Sequence, residues 1–145
     1  MDGTASLEYR FGNVLDLDEV IELYRASTLG ERRPIQDRDR MGLMLKNANL
    51  VVTCWDKSLL VGIARSVSDF VYTTYLSDLA VRLSHQRRGI GQELIRRSQH
   101  AAPQAKILLV AAPNAADYYP HIGFTPRDAV WVLKAGAPIG SSQKR

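Results

Sequence analysis

One turn of this sequence, where an apolar stretch gives way to a helical pattern, carries residues suited to binding an anion. The apolar stretch ends in Leu79-Ala80-Val81, and the pattern Gln86-x-x-Gly89-x-Gly91 then opens the helix. The N–H groups of a first helical turn lack an acceptor within the helix, and together with the helix dipole they attract a phosphate or pyrophosphate. Glycine at positions 89 and 91 leaves room for a ligand because it has no Cβ. The spacing therefore predicts a pyrophosphate-binding turn.

Two better-known phosphate motifs do not fit this turn. The dinucleotide fingerprint Gly-x-Gly-x-x-Gly would need a third glycine at position 94, which is Leu94, and no Gly-Lys-Ser/Thr of a P-loop is present. Metal chemistry is not predicted either. Cys54 is the single cysteine and lies in an apolar run, and His85, His100 and His121 show neither metal-ligand nor catalytic-triad spacing.

A second group of polar and aromatic residues lies near the C-terminus, where Asn114 is followed by Tyr118-Tyr119 and then by Gly123-Phe124. Taken with the turn at Gln86-x-x-Gly89-x-Gly91, it resembles the GNAT superfamily of acyl-CoA-dependent N-acyltransferases over about residues 5–134. In this sequence Asn114 is closer to the tyrosine than in the common pattern, and Pro120 interrupts the expected helix. Proline is tolerated only in a first helical turn, so that helix must begin near Asp117 or be kinked.

The resemblance implies acetyl-CoA as cosubstrate and a primary amine as acceptor. It assigns the cofactor to the backbone and side chains of Leu79, Ala80, Val81, Gln86, Arg87, Arg88, Gly89, Ile90, Gly91, Asn114 and Tyr119. It further implies a bulge that separates the strand ending at Val81 from the strand beginning near Lys106, so that unpaired N–H groups point into the gap. One such donor would stabilise the oxyanion formed when the amine attacks.

The resemblance also implies catalytic roles for two side chains. Tyr119 would protonate the departing CoA thiolate as general acid, with Tyr118 as the alternative. Asp78 is the nearest carboxylate for a general base, but a water chain would serve equally, and Asp78 fits a capping or ion-paired carboxylate as well. The acceptor would meet Arg32, Arg33, Tyr72 and Tyr75. That mixture suits a small amine with an anionic group, a lysine side chain or a protein N-terminus.

The elements that must position these residues follow from periodicity. Alternation and apolar runs predict strands at 7–11, 50–55, 58–66, 70–81, 106–111 and 130–133, and helical spacing predicts helices at 16–27, 37–47, 89–101 and 114–122. The fold class is therefore α/β (α+β), with a mixed sheet, helices on both faces and the order β-α-α-β-β-β-α-β-α-β. This order is also that of GNAT domains, whose sheet is splayed at its centre. The strands that flank the helix at 89–101 should be parallel.

Composition limits the classes of protein that fit. The chain has 145 residues, 46% of them hydrophobic, and a net charge of +4, which suits a single domain over residues 1–134 with a tail at 135–145. No window approaches the ~18 apolar residues of a membrane span, and no leader pattern is present, so we expect a soluble, cytoplasmic protein without a membrane partner. Exposed strand edges are compatible with a homodimer.

Two other functions compete with acetyl transfer. Arg87-Arg88 and Arg96-Arg97 share one helix and its entry loop, as in a basic nucleic-acid-binding module. Glu93 interrupts that cluster and the net charge is modest, so we expect no nucleic-acid partner. The second competitor is a catalytically silent acyl-CoA-binding regulator that keeps the glycine turn but does not use Tyr119.

Overall fold

Five strands form one mixed sheet in the computed structural model, which describes residues 7–140. The strands are β1 (Leu7–Phe11), β2 (Leu50–Asp56), β3 (Leu59–Ser68), β4 (Thr73–Val81) and β5 (Lys106–Leu108). Within residues 7–140 four α-helices accompany them: α1 (Leu17–Ser27), α2 (Arg38–Lys46), α3 (Ile90–Ala101) and α4 (Tyr118–His121). The chain divides at Val110 into two compact units, the first holding the sheet with α1 to α3 and the second holding α4. The single domain expected over residues 1–134 stays a prediction.

The strands lie in the order β1-β2-β3-β4-β5. The first four pair antiparallel with their neighbours, whereas β4 and β5 are parallel, as the crossover through α3 predicts. Strand β5 is shorter than the expected 106–111. It pairs over three residues and ends at Leu108.

Helices cover both faces of the sheet, which confirms the expected layering. On one face, α1 and α2 form a buried core with β3 and β4 in which Val20, Met41, Ile63 and Ala80 take part. On the other face α3 approaches so closely that a Cβ on Gly62 would lie 3.1 Å from side-chain atoms of both Ile90 and Leu94. Glycine at this position of β3 therefore lets α3, the helix that follows the glycine turn at residues 86–91, pack directly on the sheet.

Helix α1 and the loop after it bring an arginine to the sheet. The Asp16 side chain accepts hydrogen bonds from the N–H groups of Asp18 and Glu19 and so caps the start of α1. Thr28 ends the helix in a left-handed conformation, with φ of 74°. A 3-10 turn, Leu29–Arg32, follows the helix, and Arg33 comes directly after this turn.

The second unit differs from expectation in two places. The helix expected at 114–122 is divided into a 3-10 turn, Pro113–Ala115, and the single turn of α4, which begins at Tyr118 so that Pro120 falls in the first turn. The strand expected at 130–133 is wrong. These residues have no regular secondary structure and Trp131 is 91% exposed, because strand-forming residues do not make a strand without a neighbour to pair with.

No helix in the described range, residues 7–140, is long and apolar enough to cross a membrane. The tail expected at 135–145 falls partly outside that range, because residues 141–145 are not described.

Candidate active site

A β-bulge in β4 creates the irregularity on which the site depends. Arg65 of β3 pairs with Asp78, but the next residue, Ser66, pairs with Leu76, so that Ser77 is an extra residue in β4. An extra residue reverses the alternation of side chains along a strand. Asp78 and Ala80 consequently face α1, the latter as part of the core that α1 forms with the sheet.

From Leu76 to Val81, β4 pairs with β3 but with no second strand among the described residues. Its pairing with β5 ends at Tyr75, which lies opposite Leu108, and no other strand among residues 7–140 takes the edge from Leu76 to Val81. We call residues 76–81 the open segment. It contains Leu79, Ala80 and Val81, the residues expected to present edge N–H groups in a splayed sheet.

The predicted anion-binding turn, residues 86–91, has the free N–H donors that its sequence predicts. The N–H groups from Arg87 to Gln92 have no hydrogen-bond acceptor within the described part of the chain, and no side chain caps α3. Gly89 is the N-cap residue of α3, with φ of 79°, a conformation that favours glycine, and a Cβ there would enter open space. A cluster of unpaired N–H groups beside an open left-handed glycine fits a pyrophosphate group.

Side chains at the base of this turn hold it to the sheet. The Gln86 amide nitrogen donates to the Val81 carbonyl oxygen at 3.0 Å, so this residue joins the turn to the end of β4. His85 Nε2 lies 2.8 Å from Asp56 Oδ2, and its Nδ1 lies 2.8 Å from Ser84 Oγ. Gln86 therefore has a structural role, because its side chain joins the turn to β4. Its expected contact with a pyrophosphate stays a prediction.

Arg87 and Arg88 contribute positive charge to the turn. Both side chains are exposed, and within residues 7–140 neither forms an ion pair. Arg96 and Arg97 differ from them, because both pair with Glu93 one turn further along α3. The charge that a compact anion could use is thus concentrated at the helix N-terminus.

A buried ionic cluster lies at the bulge. We call Tyr24, Arg33, Arg65 and Asp78 the Asp78 cluster. Asp78 Oδ2 accepts from the Tyr24 hydroxyl at 2.5 Å and from Arg65 Nε at 2.6 Å, and Oδ1 accepts from Arg33 Nε at 2.6 Å. The Asp78 side chain is completely buried. One carboxylate therefore joins α1, the loop after α1, β3 and β4.

Opposing effects act on the acidity of Asp78. Burial alone would raise its pKa, but the hydrogen bond and charge of Arg65, the hydrogen bond of Tyr24 and the charge of Arg33 hold the pKa below its usual range. Burial raises the pKa of Tyr24, and so does the adjacent Asp78 carboxylate. At neutral pH Tyr24 is therefore a neutral donor to an ionised acceptor.

This environment favours the interpretation of Asp78 as an ion-paired carboxylate over its interpretation as a general base. Its oxygens already accept three short hydrogen bonds, and a lowered pKa makes a carboxylate a weaker base. Sequence reasoning missed Tyr24 and Arg65 as partners. The available signal was Arg65 itself, a charged residue inside the apolar run of β3.

The residues expected to meet the acceptor separate into two groups. Arg33 lies in the Asp78 cluster and also donates from Nη2 to the Ser77 carbonyl oxygen at 2.8 Å, whereas the neighbouring Arg32 is exposed. Tyr72 and Tyr75 lie on the other side of the bulge, where β4 approaches β5, and both are exposed. The Lys106 ammonium lies 3.5 Å from the centre of the Tyr72 ring.

Asn114 and Tyr119 belong to the second unit. Asn114 is exposed in the 3-10 turn, and Tyr119 lies in α4 with its ring edge-to-face against those of Tyr118 and Phe124, at centroid distances of 5.2 and 5.5 Å. The Tyr119 carbonyl oxygen accepts from the N–H groups of Ile122 and Phe124. Burial raises the pKa of Tyr119, and Tyr118 adds to this effect, so the phenol stays protonated at neutral pH.

No metal centre is suggested by the side chains of residues 7–140. Nowhere in that range do three or more His, Cys, Asp or Glu side chains gather in a group that could hold a metal ion.

Comparison with known proteins identifies the family. The family model described as "Acetyltransferase (GNAT) domain" matches residues 32–134. An uncharacterized N-acetyltransferase, ycf52 of Pyropia yezoensis, is 27% identical over 122 residues, covering 76% of this chain and 68% of its own.

Solved structures agree on the fold. A GNAT-family acetyltransferase of Streptococcus pneumoniae has a TM-score of 0.72 at 21% identity, with 88% of this chain and 98% of the other covered. Aminoglycoside N-acetyltransferase AAC(6')-Iy in complex with CoA has a TM-score of 0.69 at 15% identity, with 90% and 95% covered. The chain belongs to the GNAT acetyltransferase family.

Proposed function

We propose that this acyltransferase moves the acetyl group of acetyl-CoA to a primary amine by direct attack in a ternary complex. The observation that carries the proposal is the position of the open segment of β4, which leads directly into the uncapped N–H groups at the start of α3. One end of this continuous stretch suits a pyrophosphate and the other suits an acyl carbonyl. A similar fold that holds CoA supports the choice of cosubstrate.

Backbone groups would supply most of the binding. The N–H groups from Arg87 to Gly91 would bind the pyrophosphate, with the side chains of Gln86, Arg87 and Arg88 beside it. The edge groups of Leu79, Ala80 and Val81 would bind the pantetheine arm and the acyl carbonyl. Asn114 would add a side-chain hydrogen bond to the pantetheine.

The thioester of acetyl-CoA supplies an activated acyl group. An N–H group of the open segment would stabilise the negative charge that develops on the acyl oxygen while the C–N bond forms. Tyr119 would donate its phenolic proton to the sulfur as the C–S bond breaks, because burial keeps this phenol protonated at neutral pH. The proton that the nitrogen loses as the amide forms would return the phenol to its neutral form.

The acceptor must lose a proton before it attacks. We propose that water carries this proton and that Asp78 acts as a positioning residue, because its oxygens are occupied by Tyr24, Arg33 and Arg65. To act as the general base, a carboxylate must direct a free lone pair at the amine.

Two measurements test this function. Acetyl-CoA should raise the melting temperature, and release of the CoA thiol should depend on an added amine, in a panel of amino acids, polyamines, aminoglycosides and peptides. Absence of a thermal shift up to millimolar acetyl-CoA would refute the proposal. A shift without thiol release for any acceptor would instead indicate a silent acyl-CoA-binding protein.

Two matched variants test the acid. Tyr119→Phe should lower kcat by about 10²-fold or more and leave acetyl-CoA affinity nearly unchanged, because only the proton donor is removed. Tyr118→Phe, which alters the neighbouring ring in the same way, should keep most of the activity. Wild-type kcat in Tyr119→Phe would exclude that residue as the acid, and an equal loss in both variants would indicate a packing role.

A further inference from the structure

The Asp78 cluster carries more positive than negative charge. Arg33 and Arg65 both bind Asp78, and among residues 7–140 it is the only acidic side chain within 4.0 Å of either guanidinium. The Tyr24 hydroxyl is neutral. One positive charge is therefore left without an acidic partner at a largely buried place, where charge is costly to hold unless something compensates it.

The two guanidinium groups are not equivalent. Arg65 is 10% exposed and is anchored on three sides, with Nη1 donating to the Met44 carbonyl oxygen and Nη2 to Ser77 Oγ. Arg33 is 23% exposed. Its Nε, Nη1 and Nη2 each make one protein hydrogen bond, so two of the five N–H groups of its guanidinium are left for another partner.

Arg33 is fixed at one end of the open segment. Its Nη2 is bound to the carbonyl oxygen of Ser77, the bulge residue, while the anion-binding turn follows Val81 at the other end. Four residue-to-residue steps along the strand, from Ser77 to Val81, span about 13 Å. A cosubstrate held by its pyrophosphate at one end would thus leave the Arg33 end for the acceptor.

We propose that Arg33 is a specificity-determining residue that selects amines carrying an anionic group, such as a carboxylate near the amine. This inference rests on the proposed acetyl transfer. A carboxylate matches the planar fork of a guanidinium and would neutralise the unpaired charge of the cluster. An acceptor with several positive charges, such as a polyamine, would be repelled by the same group.

Matched acceptors test this proposal. Each amino acid in the panel is compared with its own amide, which keeps the amine and side chain but replaces the carboxylate with a neutral group. Rates are compared at equal concentrations of the uncharged amine, since the two compounds differ in amine pKa. We expect kcat/KM to favour the acids by about tenfold or more, mainly through KM.

Variants at Arg33 and at an exposed arginine outside the site assign the preference. Arg33→Gln should reduce the ratio of acid to amide by about tenfold, and Arg33→Lys should keep part of it. Arg40→Gln, at an exposed position of α2, should leave the ratio unchanged. Melting temperature and acetyl-CoA binding are measured on each variant. Arg33→Lys keeps the positive charge, so it still tests the proposal if Arg33→Gln folds poorly.

Three results would overturn the inference. One is a wild-type enzyme that uses amides or polyamines as well as it uses acids. Another is an Arg33→Gln variant that loses activity on acids and amides by the same factor, which would limit Arg33 to holding the loop. In the third, acetyl-CoA binds but the CoA thiol is not released with any acceptor, so the proposed function itself fails.

Discussion

Replacing Asp78 with asparagine should strongly destabilise the first unit, although the two side chains have nearly the same size. The Asp78 carboxylate accepts hydrogen bonds of 2.5–2.6 Å from Tyr24, Arg33 and Arg65. An amide has one acceptor oxygen, and its NH₂ group would face a guanidinium N–H, which places two donors together. The substitution also leaves two guanidinium groups without their counter-ion.

The structure sets the size of this effect. Breaking a buried ion pair by removing one partner costs about 3–5 kcal/mol. The Asp78 side chain is completely buried and that of Arg65 nearly so. Arg33 keeps more contact with water, and this lowers the contribution of its ion pair to the free-energy cost. We therefore expect the free energy of unfolding to fall by about 3 kcal/mol, toward the lower end of that range. In a chain of this length the melting temperature would drop by about 10 °C.

The cost must also depend on pH. The pKa of Asp78 is lowered in the folded protein, so its contribution to stability is complete above the pKa of an unfolded aspartate, which is about 4. That contribution is lost as pH falls through the folded pKa. The asparagine of the variant binds no proton, so the difference in stability between the two proteins should be constant from about pH 5 to 8 and shrink below about pH 4.

Urea unfolding of both proteins between pH 3 and pH 7 measures these quantities. Asp18→Asn is the matched control, because Asp18 also pairs with an arginine, Arg38, but does so on the surface, where water screens the pair. That control should change stability little. A loss below about 1 kcal/mol in Asp78→Asn, or a loss that does not shrink in acid, would refute the reasoning.

Two glycines give further predictions. Gly89→Leu should abolish stabilisation by acetyl-CoA, because it strains a backbone at φ of 79° and fills the space beside the free N–H groups. Gly12→Leu, at φ of 126°, is the control for backbone strain alone. A full acetyl-CoA thermal shift in Gly89→Leu would remove this turn from the binding site. Gly62→Val should lower the urea unfolding free energy by about 1–3 kcal/mol, because its Cβ would already lie 3.1 Å from two side chains of α3. Unchanged stability would contradict the close approach of α3 to the sheet.

Elements with local signals could be predicted from sequence. Asp16 and Asp37 stand before α1 and α2, and both cap the helices as acidic N-cap residues do. Gly89 is the N-cap residue of α3 and belongs to the glycine pattern that predicted an anion-binding turn. In these places the residue types and their spacing along a few positions determine the structure, so periodicity and capping are sufficient.

The Asp78 cluster depends on contacts that no local pattern contains. Tyr24 lies 54 residues from Asp78 in sequence, Arg33 lies 45 away and Arg65 lies 13 away. Their meeting requires the register of β3 against β4 and the packing of α1 on the sheet. Sequence reasoning could therefore place a carboxylate near the site but could not distinguish a base from an ion-paired anchor.

The segment at 130–133 shows the opposite limit, a strong local signal without the expected structure. Val-Trp-Val-Leu has the composition of a strand, yet Trp131 and Val132 are 91% and 79% exposed and the segment is irregular. Strand propensity measures how well side chains fit a paired, half-buried surface. Composition alone therefore cannot establish a strand.

The extra residue at the bulge links the two halves of the proposed site. In a regular strand Asp78 would share a face with Thr74, which lies opposite Ser68 on the side of the sheet that α3 covers. With Ser77 inserted, Asp78 turns toward α1 and meets Tyr24, and Arg33 reaches both Asp78 and the Ser77 carbonyl oxygen. The open segment also begins beside this bulge. A single extra residue thus places the edge that is proposed to bind the acyl group next to the arginine that is proposed to select the acceptor. A substitution that alters one of them should therefore affect the other.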